Sequence, residues 1–265
     1  MADVLKKIYD ARAKRREAEM RDEPYTVVQQ RAFDGVAQRR PFLSTLQRAS
    51  GVAIVAEIKR ASPSAGLIAR NFDHVAIAKM YERSGADAIS VLTEQDHFLG
   101  DLRYLHDVRE ATTLPLLRKD FLSTPYEVAQ SAAYGADCIL LIVAGLDDGV
   151  LRACMNEAKA YEMSVLVEVH DARELERALR AGADFVGVNN RNLRTMITDL
   201  AVSEYLLPSV PKDVFAISES GMRDARDVER LIRAGARGAL VGEALMRAED
   251  PALQIMTMKR ACTQA

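Results

Sequence analysis

Eight short apolar runs, each turning polar at its C-terminal end, alternate with helix-period segments from Val52 onward. They are VAIVAEIKR from 52, DAISVLTE from 87, PLLRKDF from 115, ADCILLIVA from 136, SVLVEVHD from 164, FVGVNNRN from 185, FAISESG from 215 and GALVGEALM from 238. Near-continuous apolar runs separated by amphipathic helices predict a parallel sheet wrapped by those helices. The intervening segments, such as VAIAKMYERSGA, YEVAQSAAYGA and ARELERALRAGA, stop at Gly-Ala, as expected of a glycine helix stop. The tetrads SGAD at 84, YGAD at 134, AGAD at 181 and AGAR at 234 recur about 50 residues apart, or two units of about 25. Eight units favour an α/β fold of the closed (β/α)8 TIM-barrel type, with an open doubly wound sheet as the alternative.

The segment before the first run predicts an N-terminal helical extension. Val4, Leu5, Ile8 and Tyr9 share one helical face, and charges of both signs fill the others. Asp3, Asp10, Glu17 and Glu19 argue against a mitochondrial presequence, so the expectation is a solvated helix held to the domain by a narrow stripe. The whole chain, 1–265, reads as a single catalytic domain, with 1–50 as the extension and 51–265 as the barrel.

Charge and cysteine content exclude several classes. A net charge of -2 gives no global attraction to nucleic acid or an anionic membrane, and no apolar stretch approaches the about 20 residues needed to span one. Cys138, Cys154 and Cys262 are odd in number and widely spaced, unlike a disulfide framework or a structural zinc site. A reducing cytoplasm is the simplest expectation. The histidines at 74, 97, 106 and 170 lack metal-ligand spacing, so no metal is expected. No nucleophile elbow, Walker loop or dinucleotide glycine signature is present.

Parallel barrels carry catalytic side chains at the C-terminal ends of their strands. Glu57 and Lys59, two apart, project from one face of the first run and could meet each other and a common ligand; a rim ion pair is the structural alternative. Glu94 ends the second run, Lys119 and Asp120 the third, Glu168 and His170 the fifth, Asn189 and Arg191 the sixth, and Glu219 and Ser220 the seventh. Carboxylates and ammonium groups around one mouth suit general acid and base chemistry. Ser220, Gly221, Gly242 and Glu243 fall in the loops after runs seven and eight, where backbone N–H groups and a short helix N-terminus can surround a phosphate. Ordinary turn glycines are the alternative there. Cys138 opens the fourth run and reads as core.

Seven stretches, AEIKRASPSAG, VLTEQDHFLGDLRYL, PLLRKDF, VLVEVHD, VGVNNRNLRTM, ISESGM and ALVGEALMR, together resemble the indole-3-glycerol phosphate synthase family over nearly the whole chain, including the helical extension. The resemblance implies a cofactor-free step of tryptophan biosynthesis. In it, 1-(o-carboxyphenylamino)-1-deoxyribulose 5-phosphate closes a ring and loses carbon dioxide and water. It also implies a phosphorylated small-molecule partner, and it leaves association with other tryptophan-pathway enzymes open.

By that resemblance Lys119 is the general acid that protonates the substrate ketone. Glu168 and Lys59 serve the carboxylate and the dehydration, and Glu57, Asn189 and Glu219 hold the lysines, substrate hydroxyls and intermediate. Arg191, Ser62 and Phe98 bind substrate, with Ser62 on the phosphate side beside Ser220, Gly221, Gly242 and Glu243, the last through its backbone N–H. Two positions depart from the family pattern: Ala65 stands where the first loop often has lysine, and Met196 where an aromatic is common. Arg60 and Arg70 are the cations that could compensate for the lost lysine. The rival readings are a phosphosugar isomerase on the same barrel, which would want a cysteine ending a strand, and a catalytically inactive metabolite-binding barrel.

Overall fold

The computed structural model describes residues 4–261, so Asp3 and Cys262 lie outside the described residues. The eight apolar runs form strands β1 (Ala53–Ile58), β2 (Ala88–Leu92), β3 (Leu116–Lys119), β4 (Cys138–Ile142), β5 (Ser164–Val169), β6 (Phe185–Asn189), β7 (Phe215–Glu219) and β8 (Gly238–Val241). Each pairs in parallel with its sequence neighbours, and β8 returns to β1 from Ala53↔Gly238 to Ala56↔Val241, closing the barrel. The open-sheet alternative is thereby set aside. Helices α4 (His74–Arg83), α5 (Leu102–Ala111), α6 (Pro125–Ala133), α7 (Asp148–Ala160), α8 (Ala172–Arg180), α9 (Ala201–Leu206), α10 (Ala225–Arg233), α11 (Glu243–Arg247) and α12 (Pro251–Lys259) follow the strands.

The recurring tetrads have one structural cause. Each glycine, at 85, 135, 182 and 235, has positive φ, between 86° and 115°. The following alanine's N–H returns to a carbonyl five residues back: Ala86 to Tyr81, Ala136 to Ser131, Ala183 to Ala178 and Ala236 to Leu231. This is a Schellman stop, which satisfies helix-end carbonyls and turns the chain toward the next strand. The tetrad aspartates then tie neighbouring strands together: Asp87 accepts from the Ile54 N–H and Asp137 from the Leu116 N–H, both at 2.8 Å.

Strand parity sorts the side chains. Even-numbered Ile54, Ala56 and Ile58 of β1 face the helix layer, while Ala53 and Val55 join Ala88, Leu117, Cys138, Leu140, Leu166, Phe185, Phe215, Ile217 and Leu240 in the barrel interior. Both described cysteines are buried free thiols.

Before β1 come α1 (Val4–Asp22), α2 (Tyr25–Asp34) and α3 (Phe42–Gln47). Helix α3 plugs the N-terminal end of the barrel: Phe42 packs 6.1 Å from the Phe185 ring, and the Leu43 N–H donates to Ser164 Oγ. Helix α1 covers the opposite end. Its apolar stripe docks as expected, with Leu5 and Ile8 buried, but Arg12 is buried as well, only 4% exposed, against the expectation that the charges remain solvated. The reason is a ready-made acidic socket. Arg12 meets Glu19 at 2.9 Å and Glu127 at 3.2 Å, with Asp120 at 3.9 Å.

Candidate functional site

Inward parity continues past the last hydrogen-bonded residue of each strand, which brings the polar strand ends to one mouth. There they line a cavity of about 810 Å³ together with parts of α1 and the loops after β1, β6, β7 and β8. Glu57, Lys59, Ser62, Phe98, Lys119, Glu168, Asn189, Arg191, Ser220, Gly221, Gly242, Glu243 and Glu219 all border it. All thirteen residues assigned a catalytic or binding role from the sequence are therefore brought to this single cavity, while the strand endings Glu94 and His170 do not border it.

The charged centre spans several strands. Lys59 Nζ lies 2.6 Å from Glu57 Oε1 along β1, and Lys119 Nζ lies 3.1 Å from Glu168 Oε2 and 3.3 Å from Glu219 Oε2. Burial disfavours the Lys119 ammonium, but the charges of Glu168, Glu219 and Glu57 outweigh it and raise its pKa, so it is a cation throughout the working range. Burial would likewise raise the Glu168 carboxyl, but Lys119, His170 and Asn189 hold it well below the usual carboxylate range. Glu219 goes the other way. Burial and the neighbouring Glu168 outweigh Lys119 and push it up to about 8. Two carboxylates on one ammonium are thus separated into an ionised one and one that keeps a proton near neutrality, a pairing suited to acid–base work.

Two glycines make room for these groups. A Cβ on Gly187 of β6 would overlap Glu219 Oε1, and one on Gly242 would overlap Glu57 Oε1 and stand 3.1 Å from Lys59 Nζ. Neither carboxylate could hold its position beside a larger residue.

The cavity has two chemically different ends. Val4, Leu5 and Ile8 of α1 join Phe98, Phe121, Leu140, Ile142 and Leu193 as an apolar wall, where the Phe98 and Phe121 rings lie 5.9 Å apart and Tyr9 meets Phe121 edge-on at 5.7 Å. At the other end Ser220 and Gly221 both have positive φ, 64° and 87°, and Asn190 pins their turn by donating to the Ser220 carbonyl at 3.0 Å. Ser62 Oγ accepts from the Ala65 N–H at 3.1 Å, which folds the first loop back on itself. Arg191 Nη1 reaches Ser64 Oγ of that loop at 2.5 Å and Nη2 stands 3.8 Å from Glu243, so a cation is supplied to the loop that lacks a lysine at 65. Arg60 instead lies over the Phe72 ring.

Two polar strand endings are engaged elsewhere: Glu94 does not border the cavity, and Asp120 borders it with its oxygens already taken up. Asp120 follows inward-facing Lys119, so parity turns its carboxylate toward the rim, where Thr93, Arg118 and the Phe121 N–H take up its oxygens. Glu94 accepts from the Asp96, His97 and Phe98 N–H groups and so shapes the loop that carries Phe98. Sequence reasoning also left the α1 residues out of the site. Their stripe was visible, but a stripe does not say which end of a barrel it covers. Among the described residues no cluster of His, Cys, Asp and Glu could hold a metal ion, and no helix is long and apolar enough to cross a membrane.

Solved structures share the fold. 3-Hexulose-6-phosphate synthase from Salmonella typhimurium superposes with a TM-score of 0.66 at 15% identity, over 80% of this chain and 99% of that one. Among sequence relatives, the indole-3-glycerol phosphate synthase of Desulfotalea psychrophila is 46% identical over 247 residues, 93% of this chain and 95% of its own length. That of Rhodospirillum rubrum is 44% identical over 260 residues, 94% and 96% of the two chains. The family model for indole-3-glycerol phosphate synthase matches residues 5–258, and with it the chain belongs to the indole-3-glycerol phosphate synthase family.

Proposed function

We infer that the protein is an indole-3-glycerol phosphate synthase, a carboxy-lyase of tryptophan biosynthesis. It acts on 1-(o-carboxyphenylamino)-1-deoxyribulose 5-phosphate, whose aromatic end suits the Phe98 and Leu193 wall and whose phosphate suits the opposite end. The observation that carries this reading is the Lys119 ammonium held between Glu168 and Glu219 in the cavity between those two ends.

The ring carbon bearing the carboxylate attacks the ketone carbon, forming the new carbon–carbon bond. Lys119 protonates the ketone oxygen as it becomes a hydroxyl, and its charge stabilises the oxygen while negative charge develops there. Loss of carbon dioxide leaves its electron pair in the ring and restores aromaticity. The hydroxyl then departs as water, and removal of a ring proton completes the indole. Glu168 and Lys59 serve these later steps, with Glu57 holding Lys59 through their 2.6 Å contact. Glu219, pushed up to about 8, can donate as well as accept a proton near neutrality. Asn189 orients the intermediate.

Arg191 and Ser62 meet the substrate from the loop side. The phosphate is bound by N–H groups of the Ser220–Gly221 turn and of the Gly242–Glu243 start of α11, whose first-turn N–H groups have no acceptor within the helix. The Glu243 carboxylate would repel a phosphate and is drawn off by Arg247 at 3.1 Å. The extension and barrel act as one catalytic domain, since α1 supplies part of the apolar wall. A cytoplasmic setting accords with the buried free thiols.

The test is direct. Purified protein given this substrate should develop indole absorbance and fluorescence with release of carbon dioxide; a silent protein that still binds the substrate would overturn the assignment.

A further inference from the structure

His170 lies outside the set of groups that meet substrate, yet it is fixed from two sides at the end of β5. It follows Glu168 by two residues and so shares its inward parity, and its Nε2 lies 3.3 Å from Glu168 Oε1. On the other edge of the ring, Nδ1 is 3.0 Å from Glu174 Oε2, and the His170 backbone N–H donates to the same oxygen at 2.8 Å. Glu174 is itself immobilised. It sits in the first turn of α8, where the N-cap Asp171 accepts from the Glu174 N–H at 2.8 Å, a reciprocal arrangement like a capping box. The ring is 14% exposed and closes a continuous chain from α8 through His170 and Glu168 to Lys119.

We propose that His170 is a positioning residue for the reaction: its ring, hydrogen-bonded to Glu174, sets its charge beside Glu168 Oε1 and so keeps Oε2 presented to Lys119. The proposal rests on the function inferred above. The ammonium cannot orient Glu168 alone, because a lysine head group turns freely on a flexible stem, whereas a rigid imidazole anchored through Nδ1 to Glu174 holds its Nε2 edge in a fixed place, 3.3 Å from Glu168 Oε1 in an ion contact without hydrogen-bond alignment. Burial opposes the imidazolium, but Glu168 and Glu174 overcome it, and the ring is pushed up to about 10. Lys119 on β3, Asn189 on β6 and Glu219 on β7 are the other polar groups around the carboxylate it holds.

Two measurements test this, one independent of turnover. In NMR spectra of the whole protein, with the His170 ring assigned by its loss in H170Q, both ring nitrogens should stay protonated past neutral pH, and E174Q should bring the titration down. A ring that carries one proton at neutral pH would overturn the proposal even if the enzyme is active. In the kinetic arm, H170F should lower kcat by about tenfold with KM within about twofold, because acid–base positioning rather than binding is lost. Its acid limb should move to higher pH as Glu168 loses a neighbouring cation. H170Q, which keeps one donor, should lie between. Thermal melts establish that the variants fold, and folded variants with the wild-type kcat and pH profile would sink the proposal while leaving the inferred function standing.

Discussion

The Lys119 ammonium and the Glu168 carboxylate, from strands separated in the barrel by β4, meet 3.1 Å apart in the substrate cavity. Lys119→Ala should lower indole formation by at least about a hundredfold, the lower range for a positioned acid. The fold should survive at neutral pH, because one of the two stranded carboxyls can take up a proton. Turnover assays alongside circular dichroism check both halves. A variant within a few-fold of wild type would remove Lys119 from the chemistry.

Glu219 makes an opposite demand on pH. Its folded pKa, about 8, lies above that of an exposed glutamate, so between the two values the native state binds more protons than the unfolded chain. Stability attributable to this group is therefore present below the unfolded value and is lost as pH rises through about 8. Glu219→Gln, which needs no ionisation, should raise Tm relative to wild type more at pH about 8 than at pH about 5, while reducing turnover. Equal Tm differences at both pH values would contradict the assignment.

Gly242→Ala separates geometry from chemistry. The new methyl would displace the Glu57 carboxylate and crowd Lys59 without altering any titratable group. Since misplacement by about 1 Å can cost about a hundredfold, kcat should fall by one to two orders of magnitude. Tm should change little, because the obstructed atoms belong to the far end of a side chain. Steady-state kinetics that match wild type would show that the Glu57–Lys59 pair tolerates displacement.

Arg12 makes the docking of α1 measurable. Arg12→Met leaves Glu127 and Asp120 without a cation they share in a buried socket, and breaking such a pair costs about 3–5 kcal/mol. Denaturant unfolding should report that loss, and the variant's KM should rise as the apolar wall loosens. Unchanged unfolding midpoints would mean that Arg118 on Asp120 and Arg16 on Glu127 satisfy the socket without Arg12.

Much of this was legible in the residues. Runs that turn polar at their C-terminal ends give both the strands and the direction of the mouth, and parity puts Glu57 with Lys59 and Glu168 with His170. The same parity, applied to Lys119, turns the Asp120 carboxylate toward Thr93 and Arg118. Arg12 and Arg118 were harder to read. A charge on a helix or strand ordinarily signals solvent, and only tertiary contact reveals the acidic groups that allow burial. Gly187 gave no local sign either, because its reason is a carboxylate on the next strand.

The extension, finally, has no surface to rest on by itself. Phe42 of α3 needs Phe185 of β6, Leu43 needs Ser164 of β5, and Tyr9 and Arg12 of α1 need Phe121, Glu127 and the loop after β3. Segments that precede β1 in the chain should thus settle late during folding, after partners far along the sequence have assembled. Since α1 completes the apolar wall, a finished substrate cavity signals that the barrel beneath it has already assembled, and half-folded chains should have little hold on substrate.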